Sequence, residues 1–344
     1  MAVSQGDLTN AAPAEREPNL PASMHWDSAS GVRHDLPLRE LVEVVRSKRG
    51  ELWVDIDSAN RHQHALLEKL FHFHPLSIED TLNPNSRVKV EEYDGYLFAI
   101  IRGVRFDQTT EDPYDLDTFN LCFFLGPNYL VTVHAEGIGS VDTVREHLVR
   151  NPELLARGAE RLMHGIMDAA VDAYFPLLDQ IDEFTHDCEE KVFVTFDARA
   201  MQRIFSVKRV VLSLRRHLAP QREVFNVLTN RPSALLNPEA QIYFRDIYDH
   251  VLRITEALET YRDLLGSTLD AYLTQVSNEL GKVSKSLGVI ATLSIPFVVI
   301  SGMWGMNFAR VPLADSPLGF WLMLGLQVGL GAALIALLKW RRWL

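Results

Sequence analysis

The chain has 344 residues, a formal net charge of −11 and an apolar fraction of 47%. That length allows more than one compact unit, and the composition fits a large water-soluble part joined to a short membrane part. Cys122 and Cys188 lie far apart without CxxC spacing, which argues against a disulfide framework and a cysteine metal site; no nucleophile elbow, phosphate loop or dinucleotide fingerprint occurs, so an enzyme, a nucleic-acid binder and a small-organic-substrate binder are not expected.

Residues 1–24, with Ala11-Ala12-Pro13-Ala14 and Pro18, lack periodicity and read as a mobile tail. No apolar h-region follows a basic start, so a cleaved signal peptide is not expected and the soluble part is placed in the cytoplasm. Residues 25–150 read as an α/β domain. Leu52 to Ile56, Tyr96 to Ile101, Thr118 to Phe124 and Tyr129 to Val133 have strand composition, while Leu38 to Arg46 and Gln63 to Phe71 have helical spacing. His62, His64, His72 and His74 are the only histidine cluster, and their loose spacing fits surface histidines better than a zinc site.

Beyond Asn151 the strand signals stop. Helical stretches are expected over 152–192, 197–230 and 237–303, with breaks at Thr195-Phe196-Asp197 and Asn230-Arg231-Pro232, and with Pro176 and Pro220 as kinks. The segment 151–236 thus supplies two long helices, the first ending in an acidic tip of Asp179, Asp182, Glu183, Asp187, Glu189 and Glu190. Pro238 suits a first helical turn, and no further proline follows until Pro296. The third helix is therefore a rod of roughly 100 Å that runs on into the membrane.

No Asp, Glu, Lys or Arg occurs from Ser286 to Ala309 or from Ser316 to Leu338. Each stretch exceeds the roughly 20 residues that cross a hydrocarbon core, so the chain ends in a transmembrane hairpin: a first span ending near 303, an outer loop 304–316, a second span 317–339 and a basic end 340–344. Lys282, Lys285, Lys339, Arg341 and Arg342 flank the spans on one side, against Arg310 and Asp315 in the loop. Positive flanks stay inside, so both ends are cytoplasmic. Along the rod, alternating steps of three and four select Asp263, Ser267, Asp270, Thr274, Ser277, Gly281, Ser284, Gly288, Ala291, Ile295, Val298 and Gly302. Such a repeat keeps one face toward a common axis. A two-helix seam would place Leu or Ile there, whereas this small, polar face suits a wider ring of helices around a hydrated path; close packing between helices is the other reading. The ligands on offer are oxygens, which suit Mg²⁺ better than Zn²⁺.

The run Tyr272-Leu273, Val276-Ser277-Asn278, then Gly302 to Phe308 with Gly305-Met306-Asn307, a second span and the terminal Lys339-Trp340-Arg341-Arg342-Trp343-Leu344 resembles the CorA family of divalent-cation channels. The resemblance covers roughly residues 50–344. It implies an α/β cytoplasmic domain followed by long helices and a two-helix transmembrane hairpin, assembled as a funnel-shaped homopentamer in the inner membrane. It assigns Gly305, Met306 and Asn307 to an outer selectivity filter that holds a hydrated ion, Asp270 to a carboxylate ring near the inner mouth, and Leu287, at the edge of the stripe, to a hydrophobic gate. Ile295 stands where the family has a methionine constriction, and Gly281 where asparagine is common.

The segment His74 to Asp80, followed by Arg87 to Glu91, also resembles the family's cytoplasmic domain, and the resemblance pairs Asp80 with Asp246 of a neighbouring subunit across a regulatory divalent ion. Glu79 and Asp249 are further candidates. Facing carboxylates repel unless a cation lies between them; the plainer reading makes Asp80 a cap or surface charge and pairs Asp246 with Arg245. The expected cargo is Mg²⁺, with Co²⁺ possible. Ala309-Arg310-Val311-Pro312 departs from the family's acidic segment, which keeps Zn²⁺ open as cargo. A reading from another class, a membrane-anchored sensor without transport, needs no polar stripe through the bilayer.

Overall fold

The computed structural model describes residues 20–106, 116–135, 137–191, 198–306, 316–341 and 343. Two compact units divide the chain, Met1–Cys188 with Ala198–Gly266, and Glu189–Asp197 with Ser267–Leu344.

The first unit is built on a seven-stranded sheet. In chain order its strands are β1 (Ala22–Asp27), β2 (Gly31–His34), β3 (Glu51–Asp57), β4 (Lys89–Tyr93), β5 (Tyr96–Phe106), β6 (Leu116–Leu125) and β7 (Tyr129–His134). Their order across the sheet is β2-β1-β3-β7-β6-β5-β4, and among the described pairs β3–β7 alone is parallel. Apolar residues alternate between both faces of the central strands, which explains their near-continuous hydrophobic runs. Val54, Ile56, Phe98, Phe124 and Val131 face a core closed by Leu41 of helix α1 (Leu38–Ser47), Leu67 of α2 (Arg61–Lys69), and Phe71 and Phe73. Phe73 stacks on Phe124 at 4.1 Å between ring centroids. Helix α3 (Pro75–Leu82) follows, its first turn capped by the His74 ring, which accepts from the Leu76 amide. His64 lies 2.8 Å from the Thr81 hydroxyl, so two of the clustered histidines serve local structure.

Strand β1 begins inside the segment read as a tail. After α4 (Gly139–Arg150) the expected single helix over 152–192 is three pieces: a 3₁₀ turn Pro152–Arg157, α5 (Ala159–Asp172) and α6 (Phe175–Lys191). Gly158 at φ 106° ends the turn, and Pro176, which lacks an amide proton, allows only a first helical turn around it. Likewise α7 (Ala198–Leu218) stops before Pro220 and α8 (Gln221–Asn230) starts after it. Prolines read as kinks are breaks. The acidic tip lies on α6, where Tyr261 is hydrogen-bonded to Asp182.

Helix α9 (Pro238–Trp304) starts where Asn237 Oδ1 accepts the Ala240 amide at 2.6 Å, with Pro238 in the first turn. Its residues Ile254, Leu258, Leu265 and Tyr272 are buried, while Leu280 and Val283, further along, are exposed on the single chain. Helix α10 (Gly319–Trp340) completes the second unit. Residues 307–315 of the loop expected over 304–316, Arg342 and Thr195-Phe196-Asp197 lie outside the described residues.

Candidate ion path and carboxylate cluster

In the second unit α9 and α10 meet on one side of α9. Gln327 of α10 donates to Ser301 Oγ at 2.7 Å and to the Phe297 carbonyl at 3.4 Å, and the Phe297 ring lies against Gly331. Val289 is buried, and Leu293, Pro296, Ile300 and Trp304 are half-buried. At about 100° per residue these positions centre opposite Ala291, Ile295, Val298 and Gly302. The stripe is thereby left open. Asp270, Thr274, Ser277, Gly281, Ser284, Leu287, Ala291, Ile295, Val298 and Gly302 are all exposed on the single chain; Gly288 is half-covered, and a Cβ on it would stand 3.9 Å from the Trp343 ring. Leu287 is 62% exposed, whereas Leu293 points to the packed side.

At the C-terminal end of α9 the Gly305 amide donates to the Ser301 carbonyl at 3.0 Å and that of Met306 to the Met303 carbonyl at 3.4 Å. The helix thus tightens and ends at the expected filter. Asn307 lies outside the described residues.

The regulatory candidates divide. Asp80, on α3, accepts the Ser86 hydroxyl at 3.1 Å and sits 2.8 Å from Lys89 Nζ, so it already has a cation. Burial lowers the Lys89 pKa, but its hydrogen bonds to Asp80 and Glu91 outweigh this and raise it. Asp246, on α9, is exposed, with Oδ2 4.0 Å from His250 Nε2. Glu79 and Asp249 are also exposed.

Beside Asp246 lies a group that the sequence reading missed. Asp168 and Asp172, one turn apart on α5, and His250 of α9 bring three ligand atoms within 4.8 Å of one another. His250 Nδ1 is 3.3 Å from Asp172 Oδ1 and 4.0 Å from Asp168 Oδ1. Asp168 Oδ1 and His250 Nδ1 are buried and have no hydrogen-bond partner among the described residues. Burial, then the Asp172 charge, push the Asp168 carboxyl above its usual range. Ligands about 2.1 Å from one ion stand roughly 3.0–3.4 Å apart when adjacent, so slight inward movement would place all three on a divalent cation. The available signal was Asp-x-x-x-Asp on a helical stretch and Asp246-x-x-x-His250 on another; what joins them is α5–α9 packing, for which a single sequence has no marker.

Two C-terminal apolar helices of membrane length, with an α/β domain ahead of them in the chain, are the layout of a two-span membrane protein. The chain belongs to the CorA-like Mg²⁺ transporter protein family, which it matches over residues 49–341. It is 33% identical to YfjQ of Bacillus subtilis over 84% of this chain and 87% of that one. To the cobalt/magnesium transport protein CorA of Thermotoga maritima it is 32% identical, over 89% of this chain and 87% of that one. Its fold is similar to the complete structure of the CorA magnesium transporter from Methanocaldococcus jannaschii, with a TM-score of 0.80 at 20% identity, covering 94% and 98% of the two chains. All three relatives are named for metal-ion transport.

Proposed function

We propose that the chain forms a homopentamer in the inner membrane, both termini cytoplasmic, and conducts Mg²⁺, and with it Co²⁺, inward along the membrane potential. The open stripe on α9, opposite its α10-packed side, carries this reading. Its oxygen-bearing part, from Asp270 to Ser284, offers hydrated hard cations a path, and Leu287 and Ile295 narrow it with apolar rings that gate by dewetting. Gly305, Met306 and Asn307 form the outer filter, where carbonyl and amide oxygens hold the ion through its water shell, because Mg²⁺ dehydrates reluctantly. Internal divalent ion regulates opening: Asp80 faces Asp246 of the next subunit, and Asp168, Asp172 and His250 extend the same sensing region within each chain. A ligand shifts such an equilibrium only by its differential affinity for the closed state.

The test is ion uptake into proteoliposomes with an inside-negative potential, comparing Mg²⁺, Co²⁺ and Zn²⁺. Mg²⁺ and Co²⁺ uptake is expected. Preferential Zn²⁺ uptake would change the cargo, and an assembled preparation that moves none of the three would support a tether instead.

A further inference from the structure

Helix α10 contributes no residue to the stripe, yet it carries one amide side chain between Gly319 and Leu338, that of Gln327. Its neighbours Leu326 and Val328 are 56% and 60% exposed, as lipid-facing residues are, whereas Gln327 is 7% exposed. Its Nε2 reaches both the Ser301 hydroxyl and the Phe297 carbonyl, and one turn further along α10, Gly331 admits the Phe297 ring to a distance at which a Cβ would stand 2.7 Å from it. The two helices therefore touch at two points one turn apart on each. One contact would leave rotation or sliding free; two fix both.

Adhesion alone explains a glutamine poorly here. In a bilayer an interhelical hydrogen bond between side chains adds little net stability, because the separated helices also find partners for their polar groups. A leucine would insert more readily. What an amide adds is a directional contact, and a buried polar pair is best attested as a device that sets register. The register fixed here is that of the last turn before the filter, since the Ser301 carbonyl accepts the Gly305 amide at 3.0 Å. Each residue of slip would turn the following backbone by about 100°.

We propose that Gln327 is a positioning residue for the ion filter: clasped to Ser301 and Phe297 while Gly331 seats the Phe297 ring, it fixes the rotation of α9 from which Gly305 and Met306 face the ion path. The inference rests on the transport reading above.

The full-length protein carrying Gln327→Leu, Ser301→Ala, both, or Ser301→Thr tests it, with oligomer size as the folding control. Two quantities are read: hydrogen exchange over residues 301–306 in detergent, and the ratio of Mg²⁺ to Na⁺ uptake in proteoliposomes. The expected result is faster exchange and a selectivity ratio lowered on the order of tenfold in either single variant. The double variant should fall no further, and Ser301→Thr, which keeps the hydroxyl, should match the parent. Unchanged exchange in Gln327→Leu overturns the clasp, and faster exchange with unchanged selectivity overturns its role at the filter. A parent that moves no divalent ion, but whose Gln327→Leu form exchanges faster, overturns the transport reading and leaves the clasp standing.

Discussion

Replacing His250 with Ala should separate the response to transition metals from the response to Mg²⁺. The Asp168, Asp172 and His250 cluster offers two oxygens and one nitrogen, and a borderline ion such as Co²⁺ gains more from imidazole than Mg²⁺ does. At 100 times its dissociation constant a ligand stabilises the fold by about 2.7 kcal/mol. In a unit of roughly 250 residues, as the first is, that raises the melting temperature by about 5–11 °C. Losing a metal ligand should cost at least the 10- to 100-fold that removal of an outer-shell partner costs. At a 100-fold loss the same Co²⁺ concentration equals the new dissociation constant, and the stabilisation drops to about 0.4 kcal/mol, or roughly 1–2 °C. The ring also packs edge-on against Phe175 at 5.6 Å, so His250→Ala lowers the metal-free melting temperature too; the measured quantity is the metal-induced shift, followed by thermal unfolding in detergent across Co²⁺ and Mg²⁺ titrations. Equal Co²⁺ shifts in parent and variant would refute the cluster as a metal site.

Four further outcomes are expected. Asn307→Ala should abolish uptake while leaving oligomer size unchanged, and normal uptake by the assembled variant would remove Asn307 from the filter. Asp80→Asn combined with Asp246→Asn should weaken inhibition by internal Mg²⁺, measured as uptake into vesicles preloaded with graded Mg²⁺; unchanged inhibition would place sensing elsewhere. Leu287→Asn should wet the constriction and raise resting uptake more than Leu293→Asn does, because Leu287 is exposed and Leu293 faces the packed side; equal effects would mean the rotation of α9 is misassigned. Finally, stability should fall as pH rises above about 6.5, the ordinary value for histidine: burial lowers the His134 pKa, but its bond to Asp55 outweighs this and raises it, so its contribution is full below 6.5 and lost through the higher folded value. His134→Gln should flatten that part of a melting-temperature profile between pH 6 and 8.

Much of the architecture is legible because it rests on period and length. The four strands read from the sequence appear at β3, β5, β6 and β7, and α9 runs unbroken from Pro238 because proline is tolerated in a first turn. What escaped has physical causes. Strand β2 has four residues and β4 has five, three of them charged, and both lie at the sheet edges, where alternation gives little signal. Asp55 looks like a stray acid within Leu52 to Ile56. It is buried because the Thr132 hydroxyl at 2.5 Å, His134 Nε2 at 2.8 Å and the Arg145 guanidinium converge on it, and these partners lie on β7 and α4. Burial raises the Asp55 pKa, but those bonds outweigh it and lower it. The α9 stripe was readable because its spacing is local to one helix; the α5–α9 cluster was not, because its ligands come from two helices about 80 residues apart.

The two sets of acids also differ in how ready they are for an ion. Asp80 has its charge balanced by Lys89 at 2.8 Å and a hydroxyl at 3.1 Å, so a divalent ion there must displace an amine. Lys89 keeps Glu91 at 2.8 Å when it leaves, and partly exposed pairs of this kind contribute only about 0–1 kcal/mol, so the exchange is easy but not free. Asp168 is less well balanced: among the described residues its buried oxygen has no hydrogen-bond donor, His250 Nδ1 stands 4.0 Å away, and its carboxyl is pushed toward the protonated form by burial and by Asp172. A cation there relieves a desolvation cost and a like-charge repulsion at once. On the proposed reading, rising internal divalent ion therefore fills the cluster within each chain first. The Asp80–Asp246 contact between subunits then fills over a higher concentration range, which places the step that closes the channel at the end of the sequence and keeps it readily reversible.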